Sequence, residues 1–357
     1  AQTLTAETGK PIAQARNELK GLIPRLDFFR HETPRALRTE KVFADSKAKL
    51  AEEIGWEPLG VVANISAWNY PYFVGGNVIV PALLAGNAVL YKPSEFAALT
   101  GLAIARLLHA SGVPPEVFAP LIGTGEVGTA LLRQPIDGVF FTGSYATGRK
   151  IARAVGGRMI KVELELGGKD PVYVCEDVDV ATAAAGLADG AFYNSGQSCC
   201  SVARIYVHEK IYAPFVAAFV TEVKRFRIGN PRDDATYLGP LTRAAQLAAL
   251  EAQVADAKKK GAKILLGGRR LASGAATPAP RVANAATVPP RGAVRAPAPP
   301  GPRDHRVEIA GDTCSPSGDS HQNVDTTRRT THRPPATLAQ NASAARAAEH
   351  FRDFSGA

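Results

Sequence analysis

Four short segments carry the residues best suited to chemistry. GQSCCSVAR (196–204) places Cys199 and Cys200 after a glycine-containing loop and before a strand-like run. A thiol there is open to a small substrate, and its thiolate is a nucleophile. The other reading makes both cysteines small buried apolar residues. ELGGKDP (165–171) sets Glu165 at the end of an apolar strand beside two glycines, where a carboxylate can act as a base on water. Glu163, two residues earlier on the same strand face, is a rival, and both read equally well as solvated strand-end carboxylates. SAWNYP (66–71) puts Asn69 on a loop after a buried strand. Its amide can donate to a developing oxyanion or simply cap a turn. FTGSYATG (141–148) ends a strand at Phe141, carries Gly143 and Gly148, and opens a helix. Glycines let backbone approach a ligand, and a helix start offers free N–H groups to phosphate. The G-x-x-x-x-G spacing is not the dinucleotide G-x-G-x-x-G and lacks the P-loop lysine, so an ordinary strand-to-helix turn has the same signature.

These segments need a scaffold, and the apolar pattern supplies one. Residues 10–50 carry helical spacing, with Leu19, Leu22, Ile23 and Leu26 on one face. Strand-like runs follow at 60–66, 88–94, 118–123, 138–143, 159–166, 170–175, 203–208 and 262–268. Helical patterns fall at 71–84, 99–112, 126–134, 146–155, 181–193, 212–226 and 244–260, and the helix over 99–112 is stopped by Gly112 and Pro114. Strand–helix alternation on this scale predicts an α/β fold, a parallel sheet covered by helices on both faces.

In order and spacing, EPLGVVANISAWNYP (57–71), GNAVLYKPSE (86–95), FTGSYATG (141–148), LELGGKDP (164–171) and NSGQSCCSVAR (194–204) resemble the NAD(P)-dependent aldehyde dehydrogenase superfamily. The resemblance covers roughly residues 10–270. It implies a Rossmann-like parallel-sheet cofactor domain over 1–166, incomplete at its N-terminus, and an incomplete α/β catalytic domain over 167–270; residues 271–357, a Pro/Ala/Arg-rich tail by composition, depart from the family. It implies Cys199 as nucleophile, with Cys200 a non-nucleophilic neighbour. Glu165, immediately before LGGK, matches the general base, which sets Glu163 aside. Asn69 matches the oxyanion-hole side chain, Lys92 and Glu95 the residues that hold the adenosine ribose, and Gly143, Ser144 and Gly148 the pyrophosphate loop, with Trp68 nearby. The implied reaction oxidises an aldehyde to a carboxylic acid through a thiohemiacetal and a thioester. NAD rather than NADP is the expected cofactor, because the Glu95 carboxylate would repel a 2′-phosphate. A catalytically inactive remnant keeping only the cofactor fold is the alternative. Transfer of the thioester to coenzyme A is disfavoured, since a water-activating Glu165 serves only hydrolysis. By analogy the complete form is a cytoplasmic homodimer or homotetramer. Tyr70, Trp68 and Phe192 are the expected lining of the aldehyde channel and imply tolerance for apolar groups.

Composition narrows the alternatives. The formal charge is +9, from 42 basic and 33 acidic residues, but the basic residues are scattered with no stripe or nucleic-acid motif, so a nucleic-acid partner is not expected. The most apolar stretch, 77–91, is broken by Pro81, Gly86 and Asn87, which excludes a helical membrane span there. Cys175, Cys199, Cys200 and Cys314 form no CxxC pair and no metal-ligand spacing, so reduced thiols and no metal are expected. The N-terminus has no apolar core of a secretory signal. After residue 270 lysine disappears while Arg, Pro and Ala accumulate, as in RAPAPPGPR (295–303). A disordered tail is expected there, because proline blocks helix and central strand alike. The family's E-x-F-G-P segment does not follow the nucleophile. A shifted reading frame would explain both features and predicts that segment in another frame of the gene.

Overall fold

The computed structural model describes residues 1–271 and 281–287. At the centre of its largest sheet lies β3 (Val61–Ile65), all five residues buried, as befits a parallel strand covered on both faces. Its neighbours are β4 (Ala88–Lys92) and β6 (Gly138–Gly143), with β5 (Phe118–Pro120) and β7 (Lys161–Leu166) outermost, in the order β5-β4-β3-β6-β7. Every pairing is parallel, and Ile65 lies beside Lys92 on one side and Phe141 on the other. Alternation then sorts the side chains between two cores. Val61, Ala63 and Ile65 pack with Leu131 of α5 (Gly125–Leu131) and Ile151 of α6 (Tyr145–Val155). On the opposite face, Val62 packs with Ile79 of α3 (Pro71–Leu84) and Ile104 of α4 (Ala98–Ala110). Phe118 is wholly buried in the second core, its ring 5.7 Å from Tyr91 and 6.1 Å from His109. Phe118→Ala is therefore expected to lower stability by about 3–5 kcal/mol. Denaturant titration reads it as a lower midpoint at constant slope, and an unmoved midpoint would refute the packing.

The chain runs outward from β3 to β4 to β5, then returns to the far side of β3 for β6 and β7. Strand order therefore reverses between β3 and β6. In open parallel sheets ligands settle outside the carboxyl ends of the strands at such a reversal.

A second layer follows the sheet. Strands β8 (Asp170–Val174) and β9 (Val202–Val207) pair in parallel. They pack on α7 (Val180–Phe192) and α8 (Tyr212–Arg225) through Val174, Ala188, Phe192, Phe215 and Phe219. Helix α9 (Ala244–Lys259) leads to β10 (Lys263–Leu271). At the N-terminus α1 (Gln2–Thr8) and α2 (Ile12–Ala36) meet at Gly9, whose φ of 75° is left-handed. A Cβ there would stand 2.6 Å from Pro240 Cγ, so the turn needs glycine on both counts.

One expectation is corrected. The helical spacing over 10–50 ends at Ala36, and β1 (Glu40–Asp45) and β2 (Leu50–Ile54) form an antiparallel hairpin instead. Asp45 starts its turn by accepting from the N–H groups of Lys47 and Ala48 at 2.8 and 3.1 Å. Nearly every hairpin residue is exposed, so no in–out alternation marks it in sequence. Past Leu271 the described residues add one short proline-free strand, β11 (Arg281–Thr287), which pairs antiparallel with β10. The rest of the expected tail, and Cys314 with it, lies outside the described residues. Among the described residues no helix is long and apolar enough to cross a membrane.

Candidate active site

The loop leaving β3 reaches Asn69 just before Pro71 opens α3. The Asn69 side chain is fixed at both ends. Its Oδ1 accepts from the Tyr70 N–H at 3.1 Å, and its Nδ2 donates to the Gln197 carbonyl at 3.0 Å. Tyr70 Oη shares a 2.7 Å hydrogen bond with Ser198 Oγ. Desolvation raises the Tyr70 phenol above its ordinary range, so it stays a neutral hydroxyl. Two consecutive residues of the β3 loop are thus clasped to the two residues that precede Cys199.

The thiol loop itself is held in an unusual backbone. Asn194, Ser195 and Gly196 all have left-handed φ, at 53°, 57° and 72°. Asparagine and glycine tolerate this; serine at such a position costs about 1–2 kcal/mol. The surroundings over-determine it. Gln14 Oε1 accepts from the Asn194 N–H at 2.8 Å, Ser195 Oγ donates to the Gly239 carbonyl at 3.1 Å, and Gln197 Oε1 accepts from the Thr242 N–H at 3.0 Å. Cys199 and Cys200 emerge from this loop exposed, which sets aside the reading of two buried apolar residues. Desolvation at the sulfur pushes the Cys199 thiol up, and the neighbouring Cys200 pushes it the same way, against weaker backbone hydrogen bonds. Cys199 is therefore mostly protonated at neutral pH, and only its thiolate reacts. Its alkylation by iodoacetamide should climb about tenfold per pH unit from neutrality to above the ordinary thiol range of ~8.5. A plateau below pH 8, followed by mass spectrometry of the Cys199 peptide, would overturn that direction.

Glu165 lies at the carboxyl end of β7, level with Thr142, and the next residue, Leu166, is level with Gly143. It therefore stands at the same carboxyl edge of the sheet as the strand-order reversal, one strand beyond β6. Glu163, one pleat earlier, is tied to Lys161 at 3.3 Å. After Glu165 the chain crosses Gly167 and Gly168 into β8, and Arg204 of β9 donates through Nε and Nη2 to the Lys169 carbonyl at 3.1 and 2.8 Å. Asp170 pairs with Val202, so Glu165 and Cys199 both lie a few residues before the same end of the β8–β9 pair.

The remaining candidates surround the ends of β3, β4 and β6. Ser144 caps α6, its Oγ accepting from the Thr147 N–H at 3.2 Å. The N–H groups of Tyr145 and Ala146 begin the helix and have no intrahelical acceptor. A Cβ on Gly148 would come within 2.7 Å of Leu166 Cδ2, so glycine draws α6 against β7. Lys92, 4% exposed, donates from Nζ to the Pro93 carbonyl at 3.0 Å and lies 3.8 Å from Glu95 Oε2. Desolvation lowers Lys92, and Glu95 opposes that. Trp68 is half-buried in the β3 loop. An open helix start for phosphate, with an ammonium and a carboxylate together for hydroxyl groups, fits a dinucleotide laid across the reversal.

Comparison with known proteins agrees with this arrangement. The pattern of the group described as the aldehyde dehydrogenase family matches residues 1–286. This chain belongs to the aldehyde dehydrogenase family. It is similar to the solved structure of a 3,6-anhydro-L-galactose dehydrogenase, with 35% identity and a TM-score of 0.72 over 76% of this chain and 57% of that one. It is similar also to an NAD-dependent aldehyde dehydrogenase from Sinorhizobium meliloti, at 33% identity and TM-score 0.72 over 75% and 54% of the two chains. An NADP-dependent enzyme from E. coli matches at 32% identity and TM-score 0.72 over 75% and 56%. This chain thus spans a little over half the length of the structures it matches. The α/β fold with its parallel sheet is that of the family.

Sequence reasoning did not single out Lys10, Gln14, Asn194 or Gln197 as parts of the site. The left-handed Asn-Ser-Gly run before Gln197 was the one available signal, since Ser-Gly marks turns.

Proposed function

We propose that this chain oxidises an aldehyde to a carboxylic acid, with Cys199 as nucleophile, Asn69 as oxyanion donor and Glu165 as general base. The observation that carries the reading is the hydrogen bond from Asn69 Nδ2 to the carbonyl of Gln197, which brings an amide donor to the loop bearing the thiol. The Cys199 thiolate adds to the aldehyde carbon, and the electron pair of the carbonyl moves onto oxygen. The second N–H of the Asn69 amide stabilises that oxyanion. When bound, a nicotinamide dinucleotide supplies the hydride acceptor that takes the adduct to the acyl level. Residues 1–166 would hold it, with Lys92 and Glu95 at the adenosine ribose, the start of α6 with Gly143, Ser144 and Gly148 at the pyrophosphate, and Trp68 close by. The catalytic residues Cys199 and Glu165 flank residues 167–198, at and just before the smaller α/β layer. Glu165 takes a proton from water as that water attacks the Cys199 acyl group. The carbon–sulfur bond breaks, the acid leaves, and the thiolate is restored. Splitting one hard step into two is the advantage of the covalent route.

The test is reduced-nicotinamide absorbance from the full chain with a short aldehyde and NAD or NADP. Steady formation, abolished by Cys199→Ala, supports the reading. Absence of turnover with both cofactors overturns it in favour of a remnant that keeps the cofactor fold. Glu95, with its side chain 44% exposed beside Lys92, favours ribose hydroxyls over a 2′-phosphate. NAD is therefore expected to bind more tightly than NADP, and fluorescence titration giving the opposite order would refute this point.

A further inference from the structure

Lys10 has no part in the chemistry above, yet it is 1% exposed. Its Nζ donates to Glu18 Oε2 at 2.6 Å and to the backbone carbonyl of Asn69 at 2.9 Å, and stands 3.5 Å from the centre of the Tyr70 ring. Glu18, its side chain fully buried, also accepts through Oε1 from the N–H groups of Tyr72 and Phe73 at 2.9 and 3.2 Å, in the first turn of α3. The two charges therefore grip one short segment from both sides of Pro71. Lys10 holds the Asn69 carbonyl, one residue ahead of the N-cap Tyr70, and Glu18 holds the first free amides inside the helix. Between Lys10 and Glu18, Gln14 accepts from the Asn194 N–H, while Asn194 Nδ2 donates at 3.3 Å to the same Asn69 carbonyl. The N-terminal segment thus holds the Asn69 loop and the left-handed thiol loop against each other.

A buried ion pair is poor evidence of stabilisation, because well-packed apolar residues in its place often do as well or better. The alternative is that it fixes one geometry. We propose that Lys10 is a positioning residue for the oxyanion donor: its ammonium, anchored by Glu18, pins the Asn69 backbone so that the Asn69 amide stays aimed at the Cys199 loop. The proposal rests on the reading of Asn69 as the oxyanion donor. Such donors act only when pre-set, and misplacement by about 1 Å can cost about 100-fold in rate.

The test uses the full chain and 4-nitrophenyl acetate, which acylates Cys199 without cofactor and releases a coloured phenolate. Lys10→Met is expected to slow acylation about 10- to 100-fold. In an Asn69→Ala background the same change is expected to add almost nothing, because the donor it positions is gone. A purely structural role would slow both backgrounds alike, and that result overturns the proposal. Should Lys10→Met not fold, Glu18→Gln, which keeps an acceptor for the α3 amides but removes the anchoring charge, carries the same comparison. Failure of both to fold assigns the pair to stability and also overturns it. A second measurement needs no reactivity: the 15N resonance of the Asn69 side-chain amide, assigned by its loss in Asn69→Ala, is expected to shift in the Lys10 or Glu18 variant. An unreactive Cys199 in the unsubstituted protein sinks the aldehyde reading and the positioning role that rests on it. An unmoved Asn69 resonance sinks the positioning role alone.

Discussion

Alanine at Cys199 is expected to abolish aldehyde oxidation, by about 10,000-fold or more, as removal of a covalent nucleophile does elsewhere, while Cys200→Ala leaves turnover close to that of the unsubstituted chain. The two thiols are adjacent and both exposed, so exposure does not choose between them. Their anchors do. Ser198, before Cys199, is bonded to Tyr70, the neighbour of Asn69. Ser201, after Cys200, donates to the Ala191 carbonyl at 3.1 Å, on the last turn of α7. Of the two cysteines between these anchors, Cys199 directly follows the residue bonded to the neighbour of Asn69. The raised Cys199 thiol adds a condition: in the free protein the thiol must lose its proton before attack, so turnover of the Cys200→Ala variant should still rise with pH through the neutral range. Reduced-nicotinamide formation and intact mass after acylation read both variants. Retained turnover in Cys199→Ala, or a dead Cys200→Ala, reverses the assignment.

How much of this was legible in the sequence depends on what kind of information each part needs. The strands of the large sheet were readable because β3 (VVANI) and β4 (AVLYK) are short, mainly apolar runs, and their burial on both faces is why they are so composed. Asn69, Glu165 and Cys199 stood out as candidates because each lies near the start or end of a strand and beside glycine or a turn, where side chains are presented rather than packed. The supports of the site were not readable. Lys10 meets the Asn69 carbonyl across 59 positions, and Gln14 meets the Asn194 amide across 180. Apolar periodicity reports which face of an element is buried; it is silent on which distant polar group shares that burial. For the same reason the β1–β2 hairpin was taken into the preceding helix. Its residues bury almost nothing, and Glu, Lys and Ala are helix formers wherever packing does not decide.

Asn69→Ala tests the arrangement where it is tightest, and a loss of about 100- to 1,000-fold in turnover is expected, the usual effect of deleting one oxyanion donor. The substitution removes the 3.0 Å bond to the Gln197 carbonyl and the 3.1 Å bond from the Tyr70 N–H, but leaves the Asn69 backbone carbonyl for Lys10 and Asn194. The loop therefore keeps most of its anchors, and the loss should appear in kcat, with dinucleotide affinity unchanged, since Lys92, Glu95 and the start of α6 lie on other elements. Asn69→Asp separates donor loss from shape loss. It preserves volume, deletes the N–H groups and sets a negative charge against a developing one, so it should be at least as slow as Asn69→Ala. If Asn69→Asp turned over normally, no donor at this position would be needed. The bond to Gln197 would then serve only to hold the thiol loop, and the oxyanion would have to be stabilised by other groups of the chain.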